Sequence, residues 1–353
     1  MSDKIHTFGI VGAGMISNFH AKAFEAMPNA KLVAIFDLNI ERAEAFAEEN
    51  GCTAYADVHE FMAHDMDFVT ICTPSGAHMD AAILAAEAGK HVVVEKPVDV
   101  TTEKIDAMIK AARENNVQLI SILPRRFNES TRIFKEAVDE GRFGKIVLAD
   151  AYVKWWRTQA YYDSAGWRGT WALDGGGALM NQSIHTIDLL LYLMGDVKSV
   201  CAFTGLETHT DIEVEDVAVA IVEFANGARG VIQGSTSCWS KEGHPAQVQI
   251  CGDQGSAFMV DDKFSVWEFA EEKSEDADVL VNYGVGADDG AAGAADPSAI
   301  SFEWHQRNFE EAIAAVEEGR IATTSGEEGR RAVELICAIY ESAKNGGQKV
   351  SLV

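Results

Sequence analysis

Three polar side chains, Asn181, His185 and Asp188, follow the glycine triplet Gly175-Gly176-Gly177 within an otherwise apolar stretch. Their spacing of i, i+4 and i+7 puts them on one face of a helix expected over residues 178–193, with Ile184, Ile187, Leu190 and Leu191 on its buried side. A helical histidine is usually a satisfied structural residue, and Asp188 would then simply orient it. The chemical reading is acid–base. Imidazole titrates near neutral pH, so His185 can take the hydroxyl proton that must leave when a carbinol carbon gives up hydride. Asn181 cannot titrate and can only orient a hydroxyl or the His185 ring. A second candidate, Lys96, stands between Glu95 and Pro97 at the end of the apolar run Val92-Val93-Val94. The proline disfavours helix at Lys96 and holds it extended, aiming its amine into the crevice where open α/β sheets bind ligands.

These groups need a frame, and 353 residues exceed what one simple core supports. Two domains are expected, residues 1–123 and 124–353. In the first, strands at 7–11, 31–36, 68–72, 91–94 and 117–121 alternate with helices at 40–49, 79–88 and 105–114 and one that carries His20 and Phe24. Continuous apolar strands alternating with helices predict a parallel, doubly wound sheet. The first strand runs into Gly12-Ala13-Gly14-Met15-Ile16-Ser17, where small residues let backbone N–H groups approach a pyrophosphate at a helix N-terminus, although Ser17 replaces the third glycine. Asp37 ends the next strand 23 residues after Gly14, suited to accept hydrogen bonds from the adenosine ribose. Gly12, Gly14, Met15, Ile16 and Asp37 therefore point to a dinucleotide. A carboxylate repels a 2′-phosphate and the adjacent Leu38 and Asn39 supply no cation, which favours NAD over NADP. Thr73-Pro74, His78 and Glu95-Lys96 leave the C-terminal ends of later strands and complete the expected cofactor edge.

From Leu123 onward the pattern changes to alternating strands and Asn-Gly-type turns, as at Asn226-Gly227, which predicts an α+β domain with an open, mainly antiparallel sheet. Trp155, Trp156, Arg157, Tyr161, Tyr162, Trp167, Arg168 and Trp171 fall within 17 residues. Flat rings beside hydrogen-bonding groups suit a sugar, with its apolar faces and hydroxyl rim; packing on a neighbouring subunit is the alternative. Arg126, Arg157, Trp167, Arg168 and Asp188 are the candidate substrate contacts. Residues 282–299, rich in Gly, Ala and Asp, read as a flexible loop, and two final helices (302–318 and one capped by Ser325-x-x-Glu328) are free to pack back on the first domain.

A net charge of −26 repels polyanions, so nucleic acid is excluded as a partner and the acidity reads as a solubility device. With no apolar run of membrane length and no leader-like N-terminus, the expected compartment is the cytoplasm. The six cysteines form no Cys-x-x-Cys pair and read as reduced, buried thiols; no metal is expected.

Gly12-x-Gly14 followed by His20, Thr73-Pro74-x-x-x-His78, Gly89-Lys90-His91 before Glu95-Lys96-Pro97, and Gly175-Gly176-Gly177-x-x-x-Asn181-x-x-x-His185-x-x-Asp188 together resemble the Gfo/Idh/MocA family of glucose-fructose oxidoreductases and inositol dehydrogenases. The resemblance covers nearly the whole chain. It implies a Rossmann domain, an open sheet that makes homodimers or homotetramers, and NAD-dependent oxidation or reduction of a secondary alcohol or carbonyl on a cyclic sugar, glycoside or sugar derivative. It also implies that Lys96 and His185 hold the reacting hydroxyl, His185 as acid/base and Lys96 as donor. Inositol dehydrogenases typically carry Asp at the position of Asn181, which shifts the expectation toward a sugar or glycoside. An NAD-retaining glycosidase, a nucleotide-sugar dehydrogenase and a non-catalytic NAD-binding regulator remain alternatives.

Overall fold

The computed structural model describes residues 4–241, 243–287 and 302–352. The chain divides into two compact units, one of residues 1–124 and 301–333 and one of residues 125–300 and 334–353.

In the first unit, strands β1 (His6–Val11), β2 (Ala30–Phe36), β3 (Thr53–Tyr55), β4 (Phe68–Ile71), β5 (His91–Val94) and β6 (Leu119–Ser121) form a parallel sheet in the order β3-β2-β1-β4-β5-β6. The order reverses between β1 and β4, and the crevice at such a switch point is where doubly wound sheets bind dinucleotides. Burial drives the assembly: Phe8 on β1 is fully buried, and its ring stacks on Phe24 at 4.4 Å and Phe68 at 4.7 Å. The late helix Glu303–Glu318 covers this core, setting Phe309 edge-on to Phe8 at 5.7 Å. The helix Thr102–Glu114 starts three residues before its apolar period does, because the Thr101 hydroxyl accepts the N–H of Lys104 and caps it.

The second unit contains β7 (Ile146–Lys154), β8 (Val197–Gly205), β9 (Val217–Phe224), β10 (Arg229–Ser235), β11 (Gln247–Gly252), β12 (Gly255–Val260), β13 (Lys263–Phe269) and β14 (Val350–Ser351), in the order β13-β12-β11-β7-β10-β9-β8-β14. The pairings are antiparallel except β10 with β7. Along β9 the burial alternates: Ala218, Ala220, Val222 and Phe224 face inward while Val219 and Ile221 are exposed, so one face of the sheet is open within this chain. On the inner side, the segment expected as one α-helix over 178–193 is a π-helix at Ala178–Ser183 continuing as an α-helix at Ile184–Met194. The wider i→i+5 turn shifts the angular register, a change that no apolar period announces.

The helix Asp276–Tyr283 takes in the first two residues of the stretch expected as a loop over 282–299, whose residues 288–299 lie outside those described. All six cysteines are free thiols, and only Cys72 is buried, the other five being half-buried instead of the expected fully buried. No described helix is long and apolar enough to cross a membrane.

Candidate active site

The glycine loop after β1 is shaped for close approach. Gly12 has φ +100°, and a Cβ there would lie 3.0 Å from the Cys72 carbonyl, so only glycine fits. At Gly14 the nearest atom to an added Cβ is 3.9 Å away, which leaves that backbone open to a ligand. The following helix, Met15–Ala26, has no side-chain cap and no acidic residue in its first turn, so its leading N–H groups are suited to receive an anion. Met15 is exposed and Ile16 half-buried beside them. Ser17, in the place of the third glycine, is fully buried and donates to the Gly14 carbonyl at 2.5 Å. These features fit a dinucleotide pyrophosphate.

Asp37 at the end of β2 accepts the N–H groups of Ala13 and Asn39, each at 2.8 Å, and pairs with Arg42 at 2.9 Å. Burial works against its charge, but these donors hold the carboxyl below the ordinary value. The expectation that no cation stands near Asp37 needs correcting: Arg42 reaches back from the first turn of the helix Ile40–Asn50. Sequence adjacency hid it, because the helix returns position i+5 to Asp37, two residues before its Asn39 cap.

Glu95 and His78, both expected to touch the cofactor, are turned inward. Glu95 is 6% exposed; its Oε1 faces His20 Nε2 at 2.8 Å and His305 Nε2 at 3.5 Å, and its Oε2 accepts the Lys96 N–H at 3.1 Å. Burial opposes its charge, yet the two imidazoles hold the carboxyl well below its usual range, while burial pushes His20 down. His20, Glu95 and His305 converge within 4.8 Å, as metal ligands can, but the 2.8 Å contact is a direct hydrogen bond. The buried His78 ring lies between backbone carbonyls, Nδ1 3.0 Å from Pro97 O and Nε2 2.9 Å from Thr73 O. It ties the Thr73-Pro74 turn to the loop after β5. Lys96 itself is half-buried, on a cis peptide bond to Pro97.

In the second unit, Asn181 and His185 are both half-buried, whereas Asp188 is 3% exposed and does not share their surroundings. The Asp188 carboxylate meets Arg126 in a buried two-pronged pair, Nη2 to Oδ1 at 2.6 Å and Nε to Oδ2 at 3.0 Å, and Arg126 lies over the Tyr192 ring. Arg126 and Asp188 are therefore engaged with each other, and the expected substrate contact by either is corrected to a packing role. Asn181 donates to Asp174, a carboxylate 1% exposed that also accepts the Gly169 N–H at 2.8 Å. A carboxylate thus backs the amide from the preceding turn. The Asn181 carbonyl accepts from Gln182, whose Nε2 also donates to the Tyr161 hydroxyl at 2.8 Å and whose Oε1 accepts Arg157 Nε at 3.0 Å. Arg157 and Arg168 both stack on Tyr161, and Arg168 also on Trp167.

The glycine triplet is explained by its neighbours. A Cβ on Gly176 would collide with the Tyr340 hydroxyl, and one on Gly177 with the Glu215 carbonyl oxygen. Glu215, 4% exposed, accepts the N–H groups of Gly177 at 3.0 Å and Leu179 at 2.8 Å and the Tyr340 hydroxyl at 2.9 Å. Burial pushes its carboxyl up to about 7. Sequence reasoning missed Glu215, Tyr340, Asp174, Gln182 and His305. The one signal available was the acidic pair Glu215-Asp216 just before an apolar strand, an expensive placement without partners.

Residues 6–122 match the model described as the oxidoreductase family with NAD-binding Rossmann fold, and residues 131–258 match the GFO/IDH/MocA C-terminal domain. Among curated proteins, scyllo-inositol 2-dehydrogenase (NAD(+)) of Bacillus subtilis is 30% identical over 71% of this chain and 72% of its own length. D-glucoside 3-dehydrogenase of Escherichia coli is 28% identical over 96% of this chain and 95% of its own. Among solved structures, the WlbA dehydrogenase of Chromobacterium violaceum, in complex with NADH and UDP-GlcNAcA, superposes with a TM-score of 0.89 at 33% identity, covering 100% of this chain and 97% of that one. With its glycine loop, parallel sheet and mainly antiparallel second sheet matched end to end, the chain belongs to the Gfo/Idh/MocA family of NAD-dependent oxidoreductases.

Proposed function

We propose that this enzyme oxidises a secondary alcohol, or reduces the corresponding carbonyl, on a cyclic sugar or sugar derivative. The observation that carries the reading is half-buried Asn181, one helical turn before half-buried His185, joined through Gln182 to a wall of Tyr161, Trp167, Arg157 and Arg168. Rings and donors arranged side by side match a sugar's apolar faces and hydroxyl rim. Bound at Gly12, Gly14, Met15, Ile16 and Asp37, NAD supplies the hydride acceptor or donor. His185 takes the hydroxyl proton as hydride leaves the same carbon, and returns it in the reverse direction. Lys96 donates a hydrogen bond to that oxygen and lowers the cost of its alkoxide character. Asn181, held by Asp174, orients the hydroxyl or the imidazole.

A sugar fits the relatives as well: proteins named for inositol and glucoside dehydrogenation match this chain, and the WlbA structure holds UDP-GlcNAcA. The open face of the β7–β14 sheet, with Phe203, Val219 and Ile221 exposed, supports a homodimer or homotetramer, and we place the enzyme in the cytoplasm. The test is a panel of sugars, glycosides and sugar acids incubated with enzyme and NAD, read by the absorbance of reduced nicotinamide. Reduction of NAD by at least one cyclic sugar is expected. Net glycoside hydrolysis with no NADH released would replace this reading with the NAD-retaining glycosidase.

A further inference from the structure

We propose that the substrate carries an anionic group, a carboxylate or a phosphate, and that Arg168 and Tyr161 receive it. The inference rests on the sugar reading above and names the class of sugar.

The argument is one of donors and acceptors. In a chain with 55 acidic and 29 basic side chains, an arginine finds a carboxylate easily. Arg42, Arg125, Arg126, Arg142, Arg320 and Arg330 each do. Arg168 has no carboxylate within ion-pair distance among the described residues. Its guanidinium lies 4.3 Å from the Tyr161 ring centre and 4.7 Å from that of Trp167, and among the described residues its only hydrogen bond runs from Nη1 to the Tyr161 hydroxyl at 2.6 Å. Its Nε is buried without a partner. A guanidinium has five N–H donors and no acceptor, so four of these five have no acceptor among the described residues.

Tyr161 completes the pattern. Its oxygen receives Arg168 Nη1 and also Gln182 Nε2 at 2.8 Å. With both lone pairs occupied, the hydroxyl can act toward a ligand only as a donor. The carboxylate in this network, Asp174, accepts from Asn181 and the Gly169 N–H. Two rings fix the guanidinium plane, and the exposed character of the cluster is donor-only. Its complement is a group that only accepts and carries negative charge, the geometry in which arginine binds carboxylate or phosphate most strongly. The cluster sits two hydrogen bonds from Asn181, through Gln182, so one small substrate could reach both.

The experiment compares matched ligands on the NAD-loaded enzyme: methyl glucoside, methyl glucuronoside and glucose 6-phosphate. Binding is followed by calorimetry and turnover by reduced nicotinamide. At low salt at least one charged ligand is expected to bind about tenfold or more tightly than methyl glucoside, the scale of a charge-assisted hydrogen bond. Which of the two binds tighter distinguishes carboxylate from phosphate. Arg168→Met, which keeps the apolar stem and removes the charge and its donors, should abolish the preference, Arg168→Lys should retain part of it, and Tyr161→Phe should reduce it several-fold. Equal affinity for neutral and charged sugars, no binding of either, or a preference unchanged in Arg168→Met overturns the proposal. Should Arg168→Met fail to fold, loss of the parent's preference at high salt supports the proposal and a salt-independent preference overturns it. Oxidation of methyl glucoside without anion preference removes this subsite and leaves the sugar reading intact. Tight glucuronoside binding without NADH formation does the reverse.

Discussion

Glu95 and Glu215 are two buried carboxylates that do the same mechanical job in the two halves of the molecule and titrate in opposite directions. Glu95 accepts the N–H of Lys96; Glu215 accepts those of Gly177 and Leu179, which lead the π-helix into Asn181 and His185. Their exposures, 6% and 4%, are nearly equal. Burial raises both, but Glu95 ends well below the ordinary range and Glu215 at about 7. The difference lies in the donors. Two imidazole rings, His20 and His305, face the Glu95 carboxylate, whereas Glu215 meets backbone N–H groups and a phenol. Depth of burial therefore does not decide which way an interior acid is shifted; the partners that face it do.

The comparison can be tested first at the residues the two carboxylates position. Lys96→Ala and His185→Ala should each lower kcat by at least about a hundredfold, as expected for a lost acid/base or alkoxide-stabilising group. The dissociation constant for NAD, measured by titration, should stay close to the parent value. Turnover within a few-fold of the parent in either variant would sink the assignment and favour the regulator reading.

Next come the carboxylates themselves. Because the Glu95 pKa is depressed, its ionisation stabilises the fold above pH 4.5, and that stability is lost as pH falls toward the folded-state value. Glu95→Gln should lower stability at neutral pH by about 2–3 kcal/mol and flatten the acid side of a plot of Tm against pH. For Glu215 the sign is opposite. Its pKa is raised, so its contribution is complete below pH 4.5 and lost as pH rises through about 7. Glu215→Gln should flatten the neutral side, removing a slope worth at most about 3.5 kcal/mol at about 1.4 kcal/mol per pKa unit. Denaturant melts from about pH 3 to about pH 8 read both effects. If both variants flatten the same limb, the contrast is wrong.

The smallest expected effect sharpens the cofactor half of the site. With Arg42 already on Asp37, Asp37→Ser alone should release a guanidinium and tighten NADP binding by about tenfold. An Asp37→Ser protein with unchanged NADP affinity would show that Arg42 cannot turn toward a 2′-phosphate.

Period and punctuation in the chain made most of the first unit legible. Continuous apolar runs near β1, β4 and β5, glycines at 12 and 14, and Asp37 after β2 are local features, and a parallel sheet follows from them because strands apolar on both faces need helices on each side. Lys96 and His185 stand out as candidates for the same reason, since Glu-Lys-Pro and the spaced helix are short-range patterns. What tertiary structure alone decided is which polar side chains are taken by one another. Asp188 reads from spacing as a neighbour of His185, yet pairs with Arg126, 62 residues away. Glu95 reads as a ligand contact, yet meets His305 from a helix 210 residues later in the chain. A sequence shows which groups carry charge, but buried charge must find a partner through space, and the partner is set by how the chain packs.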